Sequence, residues 1–368
     1  DPRPDLTEDY PVYHADKFIT DLELQSRNKD IEVRDYQKNA YVYAMRNNRC
    51  LLLSPTSSGK SLIIYLAVRQ LLTYKCKKGL IIVPTTSLVE QLYSDFSDYS
   101  TKNGWDVQEN VHRIYQGRDK HTDLPLTIST WQSLYTKPEE YFHQFDFIIG
   151  DEAHLFKAQS LVSIMSNCIN AKYRIGLTGT LDGTKTHKLV LEGLFGPVQK
   201  VTTTKELMDN KQIADFSIKC LVLKHDDEIC QLMKGKTYQE EIEYLILNES
   251  RNKFIKNLAV SLNGNSLILY QYVDKHGKIL YDMITNTEKI GNRKVFFVYG
   301  KTDTETREEV RRITEEENDA IIVASYGTFS TGINIRNLHN IIFASPSKSR
   351  VRNLQSIGRG LRIGDNKA

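Results

Sequence analysis

The stretch Cys50-Leu51-Leu52-Leu53-Ser54-Pro55-Thr56-Ser57-Ser58-Gly59-Lys60-Ser61 joins a short apolar run to a Gly-Lys-Ser turn. Beyond it Leu62, Ile63, Leu66, Ala67 and Leu71 recur at helical spacing. Strand, turn and helix in that order predict one unit of an α/β fold. Ser54 to Ser61 follows the pattern G-x-x-x-x-G-K-[ST], with Ser in place of the first Gly. The exchange leaves the physics intact, because the phosphate-binding groups are backbone N–H donors at a helix N-terminus, where the dipole favours an anion. Thr56, Ser57, Ser58, Gly59, Lys60 and Ser61 are the candidate phosphate cradle. In it Lys60 would reach the β- and γ-oxygens of a nucleoside triphosphate, and the Ser61 hydroxyl would ligate Mg²⁺.

Outward from this turn, short continuous runs rich in β-branched residues recur: Leu80-Ile81-Ile82-Val83, Leu126-Thr127-Ile128-Ser129, Phe147-Ile148-Ile149 and Ile175-Gly176-Leu177-Thr178. Such runs suit strands of a parallel sheet buried on both faces. Their alternation with helical patterns implies right-handed βαβ units. The pattern pauses near 197–225, and a second series begins with Leu267-Ile268-Leu269-Tyr270, Val295-Phe296-Phe297-Val298, Ile321-Ile322-Val323-Ala324 and Ile341-Ile342-Phe343-Ala344. A charged helix is expected over 305–317, its Glu/Arg face solvated, and a basic helix over 349–361. The expected organisation is a polar arm or linker over 1–30, a first α/β lobe over 31–205, and a linker with a second lobe over 206–368. The chain starts without Met and stops six residues after Arg362, with no room for a strand after the last helix, so both ends read as truncated.

Length and composition bound the reading. At 368 residues two domains are the default expectation. No run of roughly 18 apolar residues offers a membrane span, and Asp1-Pro2-Arg3-Pro4 does not start a signal peptide, so a cytoplasmic protein is expected. The net charge of +3 neither demands nor excludes a nucleic-acid partner, because one groove can be basic while the rest is acidic. Five cysteines without a C-x-x-C pair argue against a disulfide or zinc framework.

About ninety residues after the phosphate turn, an apolar run ends in Asp151-Glu152-Ala153-His154. Acidic residues at a strand end can simply be solvated. Downstream of a phosphate turn they can instead hold Mg²⁺, the part read for Asp151, and position and deprotonate a water, the part read for Glu152. Together the two motifs point to hydrolysis of a nucleoside triphosphate.

The order of the remaining motifs resembles the superfamily 2 helicases of the DEAH kind. Arg34-Asp35-Tyr36-Gln37 is similar to the family's adenine-reading segment, which implies that Tyr36 and Gln37 meet the base of ATP. Pro84-Thr85-Thr86-Ser87-Leu88 resembles motif Ia and Ser129-Thr130-Trp131-Gln132-Ser133-Leu134 motif Ib, which implies strand-backbone contacts from Thr85, Thr86, Ser129 and Thr130. Trp131 either stacks a base or fills a core position. Thr178-Gly179-Thr180 resembles motif III, so that Thr178, Thr180 and His154 would couple ATP state to the nucleic-acid site. Ser330-Thr331-Gly332-Ile333-Asn334 resembles motif V, which implies phosphate contacts from Ser330 and Thr331 and nucleotide contacts from Gly332 and Asn334. Gln355-Ser356-Ile357-Gly358-Arg359-Gly360-Leu361-Arg362 matches motif VI, with Gln355 in the coupling and Arg359 and Arg362 as candidate arginine fingers, a role worth about 10³–10⁵ in rate. Lys348, Arg350 and Arg352 either extend an electrostatic track or form a solvated helix start.

The resemblance implies two tandem RecA-like lobes with parallel sheets and the ATP site in the cleft between them. Lys234 to Glu241, Thr302 to Arg307 and Ala324 to Gly332 narrow it to the recombination and repair helicases of T4-like bacteriophages. ATP and Mg²⁺ as cofactors, branched or single-stranded DNA or an RNA–DNA hybrid as partner, a monomer, and the host cytoplasm follow as expectations. A double-strand DNA translocase of a restriction or remodelling system shares all these motifs and stays open. A nucleotide-gated binding module without turnover is disfavoured by the intact Lys60, Glu152 and Arg362.

Overall fold

A computed structural model of the chain describes residues 12–26, 28–115, 122–156, 158–181, 183–332, 335, 337–349, 353–354 and 356–358. It divides into two compact units, Asp1–Leu207 and Met208–Ala368.

The first unit is built on seven strands: β1 Arg49–Leu53, β2 Gly79–Val83, β3 Val111–Ile114, β4 Leu126–Thr130, β5 Phe147–Asp151, β6 Tyr173–Thr178 and β7 Val198–Lys200. Their order across the sheet is β3-β4-β2-β5-β6-β1-β7, every pair parallel. The central strands are the expected apolar runs. Leu51, Leu52, Leu80, Ile81, Ile148 and Ile149 are buried, with alternate residues feeding the two cores on either side of the sheet. Both edge strands, β3 and β7, escape the expectation. Val111-His112-Arg113-Ile114 and Val198-Gln199-Lys200 mix polar residues into very short runs, as edge strands with one open side do.

Residues 12–30 also differ from a free arm or linker. They form a helix, Val12–Asp21, and a two-strand pairing of Gln25–Ser26 with Lys29–Asp30. Ala15, Leu22 and Leu24 are buried in the same core as Tyr41 and Leu66. Phe18 and Ile19 pack against that core as well, so Ala15, Phe18, Ile19 and Leu22 fall at i, i+3, i+4 and i+7, one face of a helix that the reading of a polar arm passed over.

In the second unit β8 Ser266–Tyr270, β9 Val295–Val298, β10 Ile321–Ser325 and β11 Asn340–Phe343 form a parallel sheet ordered β9-β10-β8-β11. The charged helix runs Thr304–Glu316. It is capped by Asp303, which accepts from Thr306 N at 2.7 Å, and carries the pairs Arg311–Glu315 and Arg312–Glu316 on its surface. Of the stretch 349–361 expected as a basic helix, residue 349 is not helical, and 353, 354 and 356–358 are.

A buried polar cluster closes the carboxyl end of this second sheet. His276, on a π-helical turn Val273–Gly277, is fully buried. Its Nε2 donates to Asn252 Oδ1 at 3.1 Å, so its Nδ1 accepts from Ser345 Oγ at 2.8 Å. Burial, and then the nearby Arg251, push its pKa down to about 4 from 6.5. In the unfolded chain the imidazole takes its proton near 6.5, and in the fold only near 4. The unfolded state therefore binds more protons in between. The contribution of the neutral ring is whole above pH 6.5 and is lost as pH falls toward 4, by roughly 3 kcal/mol in all. Urea unfolding of the wild type and of His276→Gln across pH 4 to 7 should show this slope in the first and its loss in the second.

Candidate nucleotide site

The strand order assembles the site. β6 lies between β5, which ends in Asp151, and β1, which ends at the phosphate turn. Strands pack about 4.8 Å apart, so the turn and the acidic pair stand roughly 10 Å apart, with Thr178 between them. The site thus occupies the carboxyl ends of the strands, where open α/β sheets bind ligands.

The turn is held open by its own bonds. Ser54 N donates to Thr178 O at 2.8 Å, Ser54 Oγ lies 2.6 Å from Ser58 Oγ, and Ser58 Oγ donates to Pro55 O at 2.7 Å. Ser57 and Gly59 take left-handed φ values of 68° and 77°. At Gly59 the conformation calls for glycine, and a Cβ there would also displace the Gln37 amide, whose Nε2 would lie 2.3 Å away. The helix Lys60–Tyr74 starts there with no side chain capping its first turn. Its leading N–H groups stay available to an anion.

Gln37 is buried, with its amide already engaged. Nε2 donates to Ser58 O at 3.0 Å, and Oε1 accepts from Arg34 N at 3.0 Å. Tyr36 Oη donates to the same Ser58 carbonyl at 2.9 Å. The segment expected to read the base therefore also braces the phosphate turn.

Lys60 Nζ stands 3.9 Å from Glu152 Oε1. Glu152 has a left-handed φ of 50°, rare for a residue with a Cβ, and its N–H donates to Asp151 Oδ1 at 2.9 Å. His154 is buried, its Nδ1 3.0 Å from Thr178 Oγ1 and 3.3 Å from Glu152 Oε2. Thr178 Oγ1 donates its proton to Thr180 O at 2.9 Å, so it accepts from His154, which fixes the Nδ1–H tautomer. The acidic loop, motif III and the phosphate turn are thereby joined by direct bonds. His187 adds a contact that its position in the sequence does not signal: its Nε2 donates to His154 O at 2.8 Å, both residues being buried.

Electrostatics fit a divalent cation here. Burial, and then the Glu152 charge, push the Asp151 pKa up to about 6, while Lys60 draws it down. Two carboxylates facing one ammonium leave a negative excess. Among the described residues no group of three or more His, Cys, Asp or Glu side chains could hold a metal alone. An ion shared between one or two protein oxygens and nucleotide phosphates is the usual arrangement for Mg²⁺. The Ser61 hydroxyl, the other expected ligand, lies 2.9 Å from Tyr99 Oη.

The residues expected at the nucleic acid fall into two groups. Thr85 caps the helix Thr86–Tyr99 by accepting from Leu88 N at 3.3 Å, at the carboxyl end of β2. Trp131 is half-buried, packed against the second core of the unit and edge-on to the exposed Tyr135 at 6.0 Å. Ser129 and Thr130, by contrast, are buried. Ser129 Oγ donates to Ile114 O or Thr130 O, each at 3.0 Å, and Thr130 Oγ1 pairs with Ser133 Oγ at 3.0 Å. Their hydroxyls are spent inside the sheet end, a departure from the expected solvent-facing contact. Ser330, Thr331 and Gly332 end a helix, Tyr326–Gly332. Asn334, Arg350, Arg352, Gln355, Arg359 and Arg362 lie outside the described residues.

A phosphate turn and an acidic pair on neighbouring ends of a parallel sheet, joined through a histidine and a threonine, define a P-loop motor ATPase. Residues 30–183 match the family described as type III restriction enzyme, res subunit, and residues 249–364 match the helicase conserved C-terminal domain. The ATP-dependent DNA helicase UvsW of Enterobacteria phage T4 is 38% identical over 369 residues, covering 98% of this chain and 72% of that protein. The DNA 3'-5' translocase XPB2 of Sulfurisphaera tokodaii is 26% identical over 92% of this chain and 80% of its own. In fold alone, the DUF1998 helicase MrfA bound to DNA superposes with a TM-score of 0.64 at 18% identity, over 95% of this chain and 49% of that one. The chain belongs to the superfamily 2 helicases, in the family of the T4 enzyme, with two tandem RecA-like lobes and the ATP-dependent activity of that family. No described helix is long and apolar enough to cross a membrane.

Proposed function

We propose that this chain is an ATP-driven DNA motor that remodels or unwinds branched DNA (forks, D-loops, Holliday junctions and R-loops) during recombination, repair and replication in the cytoplasm of a phage-infected cell. The observation that carries the reading is the bonded path from Lys60 through Glu152 and His154 to Thr178. It ties the triphosphate end of the site to the motif that senses it. The 38% identity to UvsW supports DNA as the track.

In this mechanism the turn from Thr56 to Ser61 cradles the phosphates, with Lys60 on the β/γ end. Asp151 and Ser61 would hold Mg²⁺, which would supply charge neutralisation at the phosphoryl oxygens. Glu152 orients a water and takes its proton. Tyr36 and Gln37 border the base. Arg359 and Arg362 supply positive charge to the γ-phosphoryl, and Gly332, Asn334 and Gln355 assist on the nucleotide side. His154, Thr178 and Thr180 pass the state of the phosphates onward. Thr85, Thr86 and Trp131, with Ser330 and Thr331, carry strand contacts, which position the nucleic acid without reading its sequence. The part played by Ser129 and Thr130 is to shape that sheet end.

The test is ATP hydrolysis without nucleic acid and with duplex, fork, Holliday junction and DNA–RNA hybrid. Branched substrates are expected to stimulate most and to be rearranged. Equal rates with and without every nucleic acid would sink the proposal. A second reading, translocation on duplex DNA without strand separation, is favoured by the likeness to the XPB2 translocase. Displacement of a triplex strand without displacement of a duplex strand would select it.

A further inference from the structure

Ser61 can serve a metal only if its hydroxyl is aimed. A serine hydroxyl turns freely and offers two lone pairs and one proton. To give a lone pair to a metal it must send the proton elsewhere, and in this fold the atom that meets it is Tyr99 Oη, at 2.9 Å.

Tyr99 is placed by a rigid seat. It is the last residue of the helix Thr86–Tyr99. Its ring packs edge-on to Tyr65 at 5.4 Å. Tyr65 is itself fully buried and tied down, with its Oη 2.9 Å from Ser100 Oγ and 2.6 Å from Arg69 Nη1. Asn103 Nδ2 reaches the same oxygen at 3.1 Å. Ser61 thus faces a phenolic oxygen held in place by its ring packing. A hydroxyl polarised by a bound cation becomes the natural donor of this pair, with Tyr99 the acceptor. That bond orders the rotor before the cation arrives, which removes an entropic loss from binding.

We infer that Tyr99 is a positioning residue for the metal-ligating hydroxyl of Ser61, and so sets the affinity of the nucleotide site for its divalent cation. The inference rests on the proposed role of Ser61 as a ligand. No motif in the sequence marks Tyr99, since it stands 38 residues beyond Ser61 in a chain with 20 tyrosines.

The experiment titrates Mg²⁺ into a complex of the protein with a fluorescent ATP analogue, and compares each variant with its own affinity in EDTA. Tyr99→Phe is expected to raise the Mg²⁺ concentration for half-maximal tightening about tenfold, as loss of an outer partner does at other metal sites, and to leave the EDTA affinity unchanged. Tyr65→Phe removes a hydroxyl from the same buried seat without touching Ser61, and should leave the Mg²⁺ requirement where it was. Ser61→Ala should raise it at least as much as Tyr99→Phe, and the double variant should add nothing further. If Ser61→Ala shifts the requirement and a folded Tyr99→Phe does not, Tyr99 has no such role while the Ser61 assignment stands. If Ser61→Ala leaves it unchanged, both fall. Should Tyr99→Phe fail to fold, 3-fluorotyrosine at position 99 keeps the bond. Its ¹⁹F resonance is expected to move when Mg²⁺ joins the nucleotide complex, and an unmoved resonance overturns the inference.

Discussion

Replacing Glu152 by Gln should lower ATP turnover by about 10²–10⁴, the usual contribution of a positioned general base, while the protein still binds ATP and DNA. Gln keeps the size and planar shape of the side chain but cannot take a proton from water. Binding should survive for an electrostatic reason. The Glu152 charge is one of the causes that push the Asp151 pKa up, second after burial. Removing it makes Asp151 easier to ionise, which favours cation and nucleotide. The left-handed backbone at Glu152 is unaffected, because Gln has the same Cβ and Cγ. Single-turnover phosphate release, read beside nucleotide and fork binding, decides the matter. Turnover at the parent rate would show that the water is activated elsewhere.

Lys60→Ala acts on the other side of the same pair, and the expected loss is in the use of ATP itself. Lys60 Nζ, 3.9 Å from Glu152 Oε1, is placed to follow the triphosphate when it enters the turn. Without it two effects add. The β- and γ-oxygens lose a preorganised cation, and Asp151 loses the Coulombic interaction with Lys60 that draws its pKa down. A drop in kcat/KM of about 10²–10³ is expected from the first effect alone. The two variants should therefore split cleanly. Glu152→Gln lowers kcat at nearly constant nucleotide affinity, and Lys60→Ala weakens affinity as well. A Lys60→Ala protein with wild-type nucleotide affinity would place the triphosphate away from this turn.

Much of the first lobe is legible in sequence because its central strands are continuous apolar runs and its key turn has a fixed local geometry. The runs through Cys50 to Leu52 and Phe147 to Ile149 are buried on both faces, and Gly59 stands where the turn takes a φ of 77°. The edge strands β3 and β7 are harder to read, because one open side allows polar residues. The docked helix near the start is a different case: Ala15, Phe18, Ile19 and Leu22 carry a helical period, but over barely two turns, among polar residues that read as an arm. Ser129 shows the limit at a site residue. Its type and motif suit a phosphate contact, yet its hydroxyl is turned inward to a backbone carbonyl.

By itself the sequence determined the chemistry: a phosphate turn, a lysine, a serine and two carboxylates, each at the end of a short strand, in the order of a helicase motor. Those features are local, because a turn and a strand end are set by neighbouring residues. Only the tertiary structure decided how they meet. It set the strand bearing Thr178 between the turn and the acidic pair, braced the turn with Tyr36 and Gln37, bonded His187 to the His154 carbonyl, and brought Tyr99 to Ser61. Strand order and helix seating follow from burial of surfaces far apart along the chain, and no local period encodes them.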